Sequence, residues 1–290
     1  MILFFNYARS GGTLLNRALA NDDQIIIISE VNKLGSGASR DLPAMKKGGI
    51  KKQLSTWYDI KTNSHDFSSE IESLHEIQAI TNKNVIVRDW TFIDFSPHFL
   101  NDYKPSYQLS ISRVKPDTVF ALIRNPLDVW LSRNEPLGVF FKSYHKYIQS
   151  LKDNKVKCFE YESMVSDPSI FFAELYSYMG INNKLSYERF FNSKNASGDL
   201  QKRNKMNEMK EFVNTSNKAV SKRKKKEFIQ FIKNNTRYSF VVASYLENIL
   251  QRPAYDESLL NYVSSKIITY VKFPIRTALE DFRWRINSET

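Results

Sequence analysis

The densest set of groups able to act on an anion lies at Arg9-Ser10-Gly11-Gly12-Thr13-Leu14. The run Ile2-Leu3-Phe4-Phe5 before it reads as a buried strand, and Leu14, Leu15, Ala18 and Leu19 after it fall on one face of a helix. Glycines in such a turn accept backbone angles that other residues resist and let a ligand come close. The unpaired amides of the first helical turn point into the same space. Arg9 adds a planar fork of donors, and Ser10 and Thr13 add hydroxyls. The chemistry is that of a cradle for phosphate or a similar oxyanion. Gly-x-x-x-x-Gly-Lys-Ser/Thr is absent and no lysine follows the glycines, which weighs against a nucleoside-triphosphate kinase or GTPase.

A second group of the same kind follows the apolar run Thr118 to Ile123, where Arg124-Asn125-Pro126-Leu127-Asp128 opens a helix. Asn125 is a suitable cap, Pro126 suits the first helical position, and Asp128 complements the helix dipole. Arg124 at the strand tip, with Ser132 about two turns along the helix, is placed to grip a second phosphate.

Carboxylates end two further strands. Gln24 to Ser29 is a continuous β-branched run of the kind buried on both faces of a parallel sheet, and it ends at Glu30; Val85-Ile86-Val87 ends in Arg88-Asp89-Trp90. Ligands of open α/β sheets gather beyond the carboxyl ends of the strands, so Glu30 is expected on the same edge as the Arg9 turn. Glu30 and Asp89 compete for the role of general base, with His145 farther along a helix. Glu30 is preferred: its strand is expected in the interior of the sheet next to the phosphate turn, where partial burial raises a carboxyl pKa, whereas Arg88 beside Asp89 depresses one.

The elements that must position these groups alternate strand and helix, which predicts a three-layer α/β fold with a central parallel sheet and right-handed crossovers. Val156 to Glu160 reads as a fifth strand. Asp167-Pro168 opens a helix whose Phe171, Phe172, Leu175 and Tyr178 or Met179 are expected to face the core and which Gly180 stops, and Ile71, Leu74, Ile77 and Ile80 and, farther on, Phe228 to Leu250 read as helices. Residues 31–67, polar and glycine-rich, read as a mobile insertion near the site. The chain divides into a domain over 1–252 and an amphipathic helical extension over 253–290, the latter expected to pack on the domain, pair with a second subunit or rest on lipid.

Forty-two Lys and Arg against 31 Asp and Glu give a net charge of +11, which favours anionic partners without choosing among them. Lys222 to Lys226 is a basic run without interleaved aromatics, read as a solvated helix face and not as a nucleic-acid patch. The single cysteine, Cys158, excludes an internal disulfide, and four scattered histidines show no metal-ligand spacing, so no metal is expected. With no secretory leader or membrane span in the sequence, the cytoplasm is the expected address.

Taken together, these segments resemble the sulfotransferases that use 3′-phosphoadenosine 5′-phosphosulfate (PAPS). Tyr7-Ala8-Arg9-Ser10-Gly11-Gly12-Thr13-Leu14 is similar to that family's 5′-phosphosulfate loop, and Arg124 through Ser132 to its 3′-phosphate strand and helix. Tyr161-Glu162, Asp167-Pro168 and Gly180-Ile181 are similar to its downstream helix. The resemblance implies that residues 9–14 hold the 5′-phosphosulfate and that Arg124 and Ser132 hold the 3′-phosphate. Lys194 with Gly198-Asp199 is similar to a segment that closes on the 3′-phosphate, although Asn195 and Leu200 depart from its pattern. Cytosolic members carry a histidine base after the third strand, where this chain has Arg88-Asp89-Trp90; other branches use a glutamate after the second strand, which Glu30 matches. The implied activity is sulfonate transfer from PAPS to a hydroxyl or amine of a small molecule, glycan or lipid, with Glu30 as base and Arg9 and Arg88 as the charges on the leaving phosphate. The competing readings are a divergent P-loop kinase or NTPase and a non-catalytic nucleotide or nucleic-acid binder.

Overall fold

The computed structural model describes residues 1–31, 49–64, 67–89, 115–182 and 218–258, with Thr91, Phe95 and Asn261 as single positions. Five strands, β1 (Ile2–Asn6), β2 (Ile25–Val31), β3 (Asn84–Asp89), β4 (Thr118–Ile123) and β5 (Lys157–Glu160), form one parallel sheet in the order β2-β3-β1-β4-β5. Their sequences are near-continuous apolar runs because both faces are covered. Leu3, Phe5, Ile26, Ile28, Val85, Val87 and Ala121 face α2 (Ile50–Tyr58), α3 (Phe67–Thr81), α4 (Pro126–Arg133) and α5 (Leu137–Asp153). Ile2, Phe4, Ile25, Ile27, Ile86, Phe120 and Leu122 face α1 (Gly12–Leu19), α6 (Tyr161–Ser166) and α7 (Pro168–Met179). This is the three-layer α/β architecture expected. Phe4 and Phe120, directly paired in register, stack at 4.9 Å and knit β1 to β4.

That strand order fixes where a ligand can sit. The chain leaves β1 toward β2 on one side and leaves β4 toward β5 on the other, so the crevice opens at the carboxyl ends of β1 and β4. Arg9 and Arg124 lie at those two ends.

Local rules account for the helix starts. Asn125 Oδ1 accepts the Leu127 N–H at 3.0 Å and Pro126 occupies the first helical position of α4. Asp167 caps α7 in the same way through the Ile170 N–H, and Gly180 closes it in the left-handed conformation.

The helix read from Ile71, Leu74, Ile77 and Ile80 forms as α3, with Ile80 82% exposed because it lies half a turn from Ile71. Three sequence expectations are corrected. The helix expected over 228–250 is broken: α8 (Lys222–Asn234) ends at Asn235, whose side chain donates to the Phe231 carbonyl at 2.9 Å, and two 3₁₀ turns and two short helices follow, α9 (Ser239–Val242) and α10 (Leu246–Gln251). β2 does not end at Glu30 but runs through it to Val31, with a register shift against β3 between Ile28 and Val31. Nor is β2 interior: among the described residues it is an outer strand, separated from β1 by β3. Lys194, Ser193 to Asp199, most of the 31–67 insertion and nearly all of the 253–290 extension lie outside the described residues.

The C-terminal segment is tied to the start of α4. Arg252 NH1 meets Asp128 Oδ1 at 2.6 Å with both side chains buried, and Arg252 Nε donates to the Lys218 carbonyl at 2.7 Å. Nearby, β6 (Val220–Ser221) pairs with β7 (Ala254–Tyr255). The basic run Lys222 to Lys226 opens α8, where Lys222 meets Asp256 at 2.9 Å and Lys225 Nζ donates to the Leu250 and Arg252 carbonyls. Removing one member of the buried Asp128–Arg252 pair leaves an uncompensated charge. Arg252→Ala is expected to lower stability in urea by about 3–5 kcal/mol, whereas the double change Asp128→Leu with Arg252→Met costs much less. A single-variant loss below about 1 kcal/mol would show that the pair does not hold α4.

Candidate functional site

The β1–α1 turn is an uncapped helix start. Arg9 has φ +72° and Gly11 φ +87°, and Gly11 stands as cap of α1 without any side-chain hydrogen bond to the first turn, which also lacks an acid. Ser10 is completely buried, and its hydroxyl has no hydrogen-bond partner among the described residues. A buried hydroxyl without a partner at the mouth of a bare helix start is suited to a ligand acceptor. Thr13 and Leu14 are half-buried and Arg9 is exposed.

The two glycines are required for different reasons. At Gly11 a Cβ would sit 2.2 Å from the Tyr161 ring on a backbone at positive φ, where side chains are strained in any case. At Gly12 it would sit 2.3 Å from the Asn6 side chain. The turn is folded tightly against an aromatic ring on one side and a strand-end amide on the other.

Arg124 reaches this turn from β4. Its NH1 donates to the Arg9 carbonyl at 2.9 Å, and its guanidinium carbon lies 4.3 Å from the centre of the Tyr161 ring. Its own carbonyl accepts the Tyr144 hydroxyl at 2.9 Å, and the neighbouring Asn125 N–H donates to Glu162 Oε1 at 3.0 Å. Burial pushes the Glu162 carboxyl up, against the Asn125 N–H and the Arg124 charge. Burial also pushes the Tyr7 and Tyr144 hydroxyls well above the usual phenol range. These tyrosines therefore stay protonated and serve as fixed donors, Tyr7 to Ser143 Oγ at 2.7 Å. Ser132 is exposed on α4, and no described contact joins it to Arg124.

Arg88 is the buried charge of the site. Its Nε donates to Asn6 Oδ1 at 2.8 Å, its NH1 to Ser29 Oγ at 3.1 Å, and its NH2 lies 3.9 Å from Glu30 Oε1. Burial pulls the guanidinium below its usual range, and the Glu30 carboxylate opposes that. One cation thus joins the ends of β1, β3 and β2. Asn6 also donates to the Tyr7 carbonyl at 3.0 Å and fills the space under Gly12, so the path from the Glu30 carboxylate to the glycine turn is Arg88 and Asn6. Glu30 keeps 15% of its side chain exposed and has φ +54°. A non-glycine residue in that region is strained, and strain of this kind is held where the surroundings fix the residue. Asp89, the rival carboxylate, is buried at 2% exposure, and the sequence expectation about its neighbour is corrected: the Arg88 charge, expected to act on Asp89, lies against Glu30.

The structure therefore brings Glu30 and Arg88 together, and Arg9 and Arg124 together, and links the two pairs through Asn6. Sequence reasoning did not single out Asn6, Ser29 or Gln53. Asn6 was detectable as a polar residue closing an all-apolar strand; Ser29 and Gln53 give no signal of their own. Among the described residues no group of three His, Cys, Asp or Glu side chains converges on a metal site.

No protein-family model matches the chain, and no curated protein matches it in sequence. Solved structures do. The chain is similar to sulfotransferase domains. That of the Synechococcus PCC 7002 olefin synthase is 14% identical, with 72% of this chain and 83% of that one covered and a TM-score of 0.45. The sulfotransferase domain of the curacin biosynthetic pathway is 14% identical over 66% of this chain and 76% of its own, with a TM-score of 0.44. Mouse sulfotransferase SULT7A1, solved with PAP, is 15% identical over 65% of this chain and 61% of its own, with a TM-score of 0.36.

Because a Cβ at position 12 must displace Asn6, Gly12→Ala is expected to break the Asn6–Arg88 bond and leave a buried donor unpaired. A loss of about 1–3 kcal/mol in urea unfolding is the expected result. Wild-type stability would mean that the turn and Arg88 are not coupled through Asn6.

Proposed function

We propose that the protein is a sulfotransferase that takes its sulfonate from PAPS, with the donor lying across the β1 and β4 strand ends. The observation that carries the reading is the junction of two anion-seeking segments: Arg124, at the tip of β4, rests on the carbonyl of Arg9, beside the uncapped start of α1 and the buried Ser10 hydroxyl. A ligand with two separate phosphate-like groups satisfies both segments, and a ligand with one does not. Ser10, Gly11, Gly12, Thr13 and Leu14 are the proposed seat of the 5′-phosphosulfate. Arg124, with Ser132 and Lys194, is the proposed seat of the 3′-phosphate.

PAPS supplies a sulfonate on a phosphate leaving group. The chain's own part is to orient the acceptor, take its proton and balance the charge. Glu30 is the proposed base: its carboxylate accepts the acceptor's O–H or N–H proton as that atom bonds to sulfur and the sulfur–oxygen bond to the phosphate breaks. Arg88 holds that carboxylate in place, and Arg9 with the α1 amides takes up the charge appearing on the phosphate. The acceptor class proposed is a small molecule, glycan or lipid hydroxyl or amine, the address proposed is the cytoplasm, and the catalytic unit proposed is residues 1–252.

Binding tests the reading without an acceptor. PAP is expected to raise the melting temperature far more than AMP or ATP, adding about 2.7 kcal/mol at roughly 100 times its dissociation constant. Arg124→Ala should erase the difference between PAP and AMP while leaving the fold intact. Equal stabilisation by AMP and PAP in the wild type would defeat the two-phosphate reading. In turnover, Glu30→Gln is expected to slow the chemical step by roughly 10²- to 10⁴-fold with PAP binding unchanged. The same loss in Asp89→Asn with Glu30→Gln near normal would move the base to the end of β3.

A further inference from the structure

An outer strand presents N–H and C=O groups to its open side at every second residue, and these need partners. On β2 the open side is met by two side chains of α2. The Tyr58 hydroxyl accepts the Ile27 N–H at 2.8 Å and donates to the Ile27 carbonyl at 3.0 Å. Two residues on, Gln53 Oε1 accepts the Ser29 N–H at 2.9 Å and its Nε2 donates to the Ser29 carbonyl at 2.8 Å. The Gln53 amide, with one acceptor and one donor in a plane, does for Ser29 what the peptide group of a further strand would do.

The position of this clamp separates it from ordinary edge cover. Ser29 is the residue at which two things depart from a regular strand: the ladder to β3 shifts between Ile28 and Val31, and Glu30 takes φ +54°. The Ser29 hydroxyl also supports Arg88 NH1 at 3.1 Å. A single backbone unit therefore carries the Glu30 carboxylate on one side and a bond to its counter-charge on the other, and Gln53, only 4% exposed, fixes that unit at both its N–H and its C=O. A free strand end with a shifted ladder and a strained residue would relax toward regular pairing, and that turns the Glu30 side chain toward the other face.

We propose that Gln53 is a positioning residue for the acid–base pair: its two bonds to Ser29 hold the bulge that aims Glu30 at Arg88 and at the acceptor. The proposal rests on the reading of Glu30 as the base. Gln53 touches no reacting atom and acts through Ser29.

The test uses the full chain, PAP as binding probe and release of PAP from PAPS in a cell extract of mixed acceptors as the turnover assay. Gln53→Leu keeps the volume and removes both bonds; Gln53→Glu keeps the acceptor for the Ser29 N–H and serves as second variant should the first not fold. Gln53→Leu is expected to lower kcat roughly 10- to 100-fold with PAP affinity within about twofold. Introduced into Glu30→Gln, it is expected to lower kcat by less than about twofold further, since both changes act on one group. Amide hydrogen exchange at Ser29 reads the clamp without reference to turnover and should speed up by about tenfold or more in Gln53→Leu. Gln53→Leu that loses thermal stability but keeps kcat, or lowers kcat equally with and without Glu30→Gln, overturns the proposal and leaves Gln53 as edge cover. Normal turnover in Glu30→Gln overturns the base assignment instead, and Ser29 exchange still decides whether Gln53 holds the bulge.

Discussion

A buried arginine is the constraint from which the rest of this structure follows. Taking a guanidinium out of water costs several kcal/mol unless its donors are met and its charge is opposed. Arg88 sits at the carboxyl end of β3 with almost no exposure, and its partners come from both neighbouring strands: Asn6 from β1, Ser29 and Glu30 from β2. Three strand ends are thereby held at one point. Loss of any partner leaves a buried charge short of a bond, so the carboxylate, the serine and the asparagine act as a unit.

From that point the turn geometry follows. Asn6 is held by Arg88 and the Tyr7 carbonyl, which places its side chain under position 12 and leaves room there for glycine only. The same turn leaves the Gly11 cap of α1 without a side-chain bond and the Ser10 hydroxyl buried without a partner among the described residues. Arg124 closes the other side by bonding the Arg9 carbonyl while stacked on Tyr161. The glycine turn and the Glu30–Arg88 pair are thus two ends of one connected set of contacts.

Much of this was legible in the sequence because it is written in short-range rules. The β1 turn, the β4–α4 corner and the Asn125 cap follow from glycine, proline and capping preferences over a few residues, and the structure bears them out. Gln24 to Ser29 was legible as a strand, but not its place at the sheet's edge. An outer strand covered on both faces reads the same as an inner one, and the side chains that complete its open side, Gln53 and Tyr58, lie more than twenty residues away with no local mark. The 228–250 helix failed because Asn235 bonds back to the preceding turn. Asn6 and Ser29 matter through contacts 82 and 59 residues apart in the chain, and one sequence contains no signal for such pairings.

The central claim is that these contacts serve transfer of sulfonate from PAPS. The most direct measurement is incubation of the purified wild-type chain with sulfur-labelled PAPS and a mixed acceptor extract in the presence of EDTA, with separation of labelled products. The account predicts label in a covalent acceptor product and a matching amount of PAP, with no need for added metal. Absence of labelled product, together with magnesium-dependent transfer or hydrolysis of the terminal phosphate of ATP by the same preparation, would contradict it.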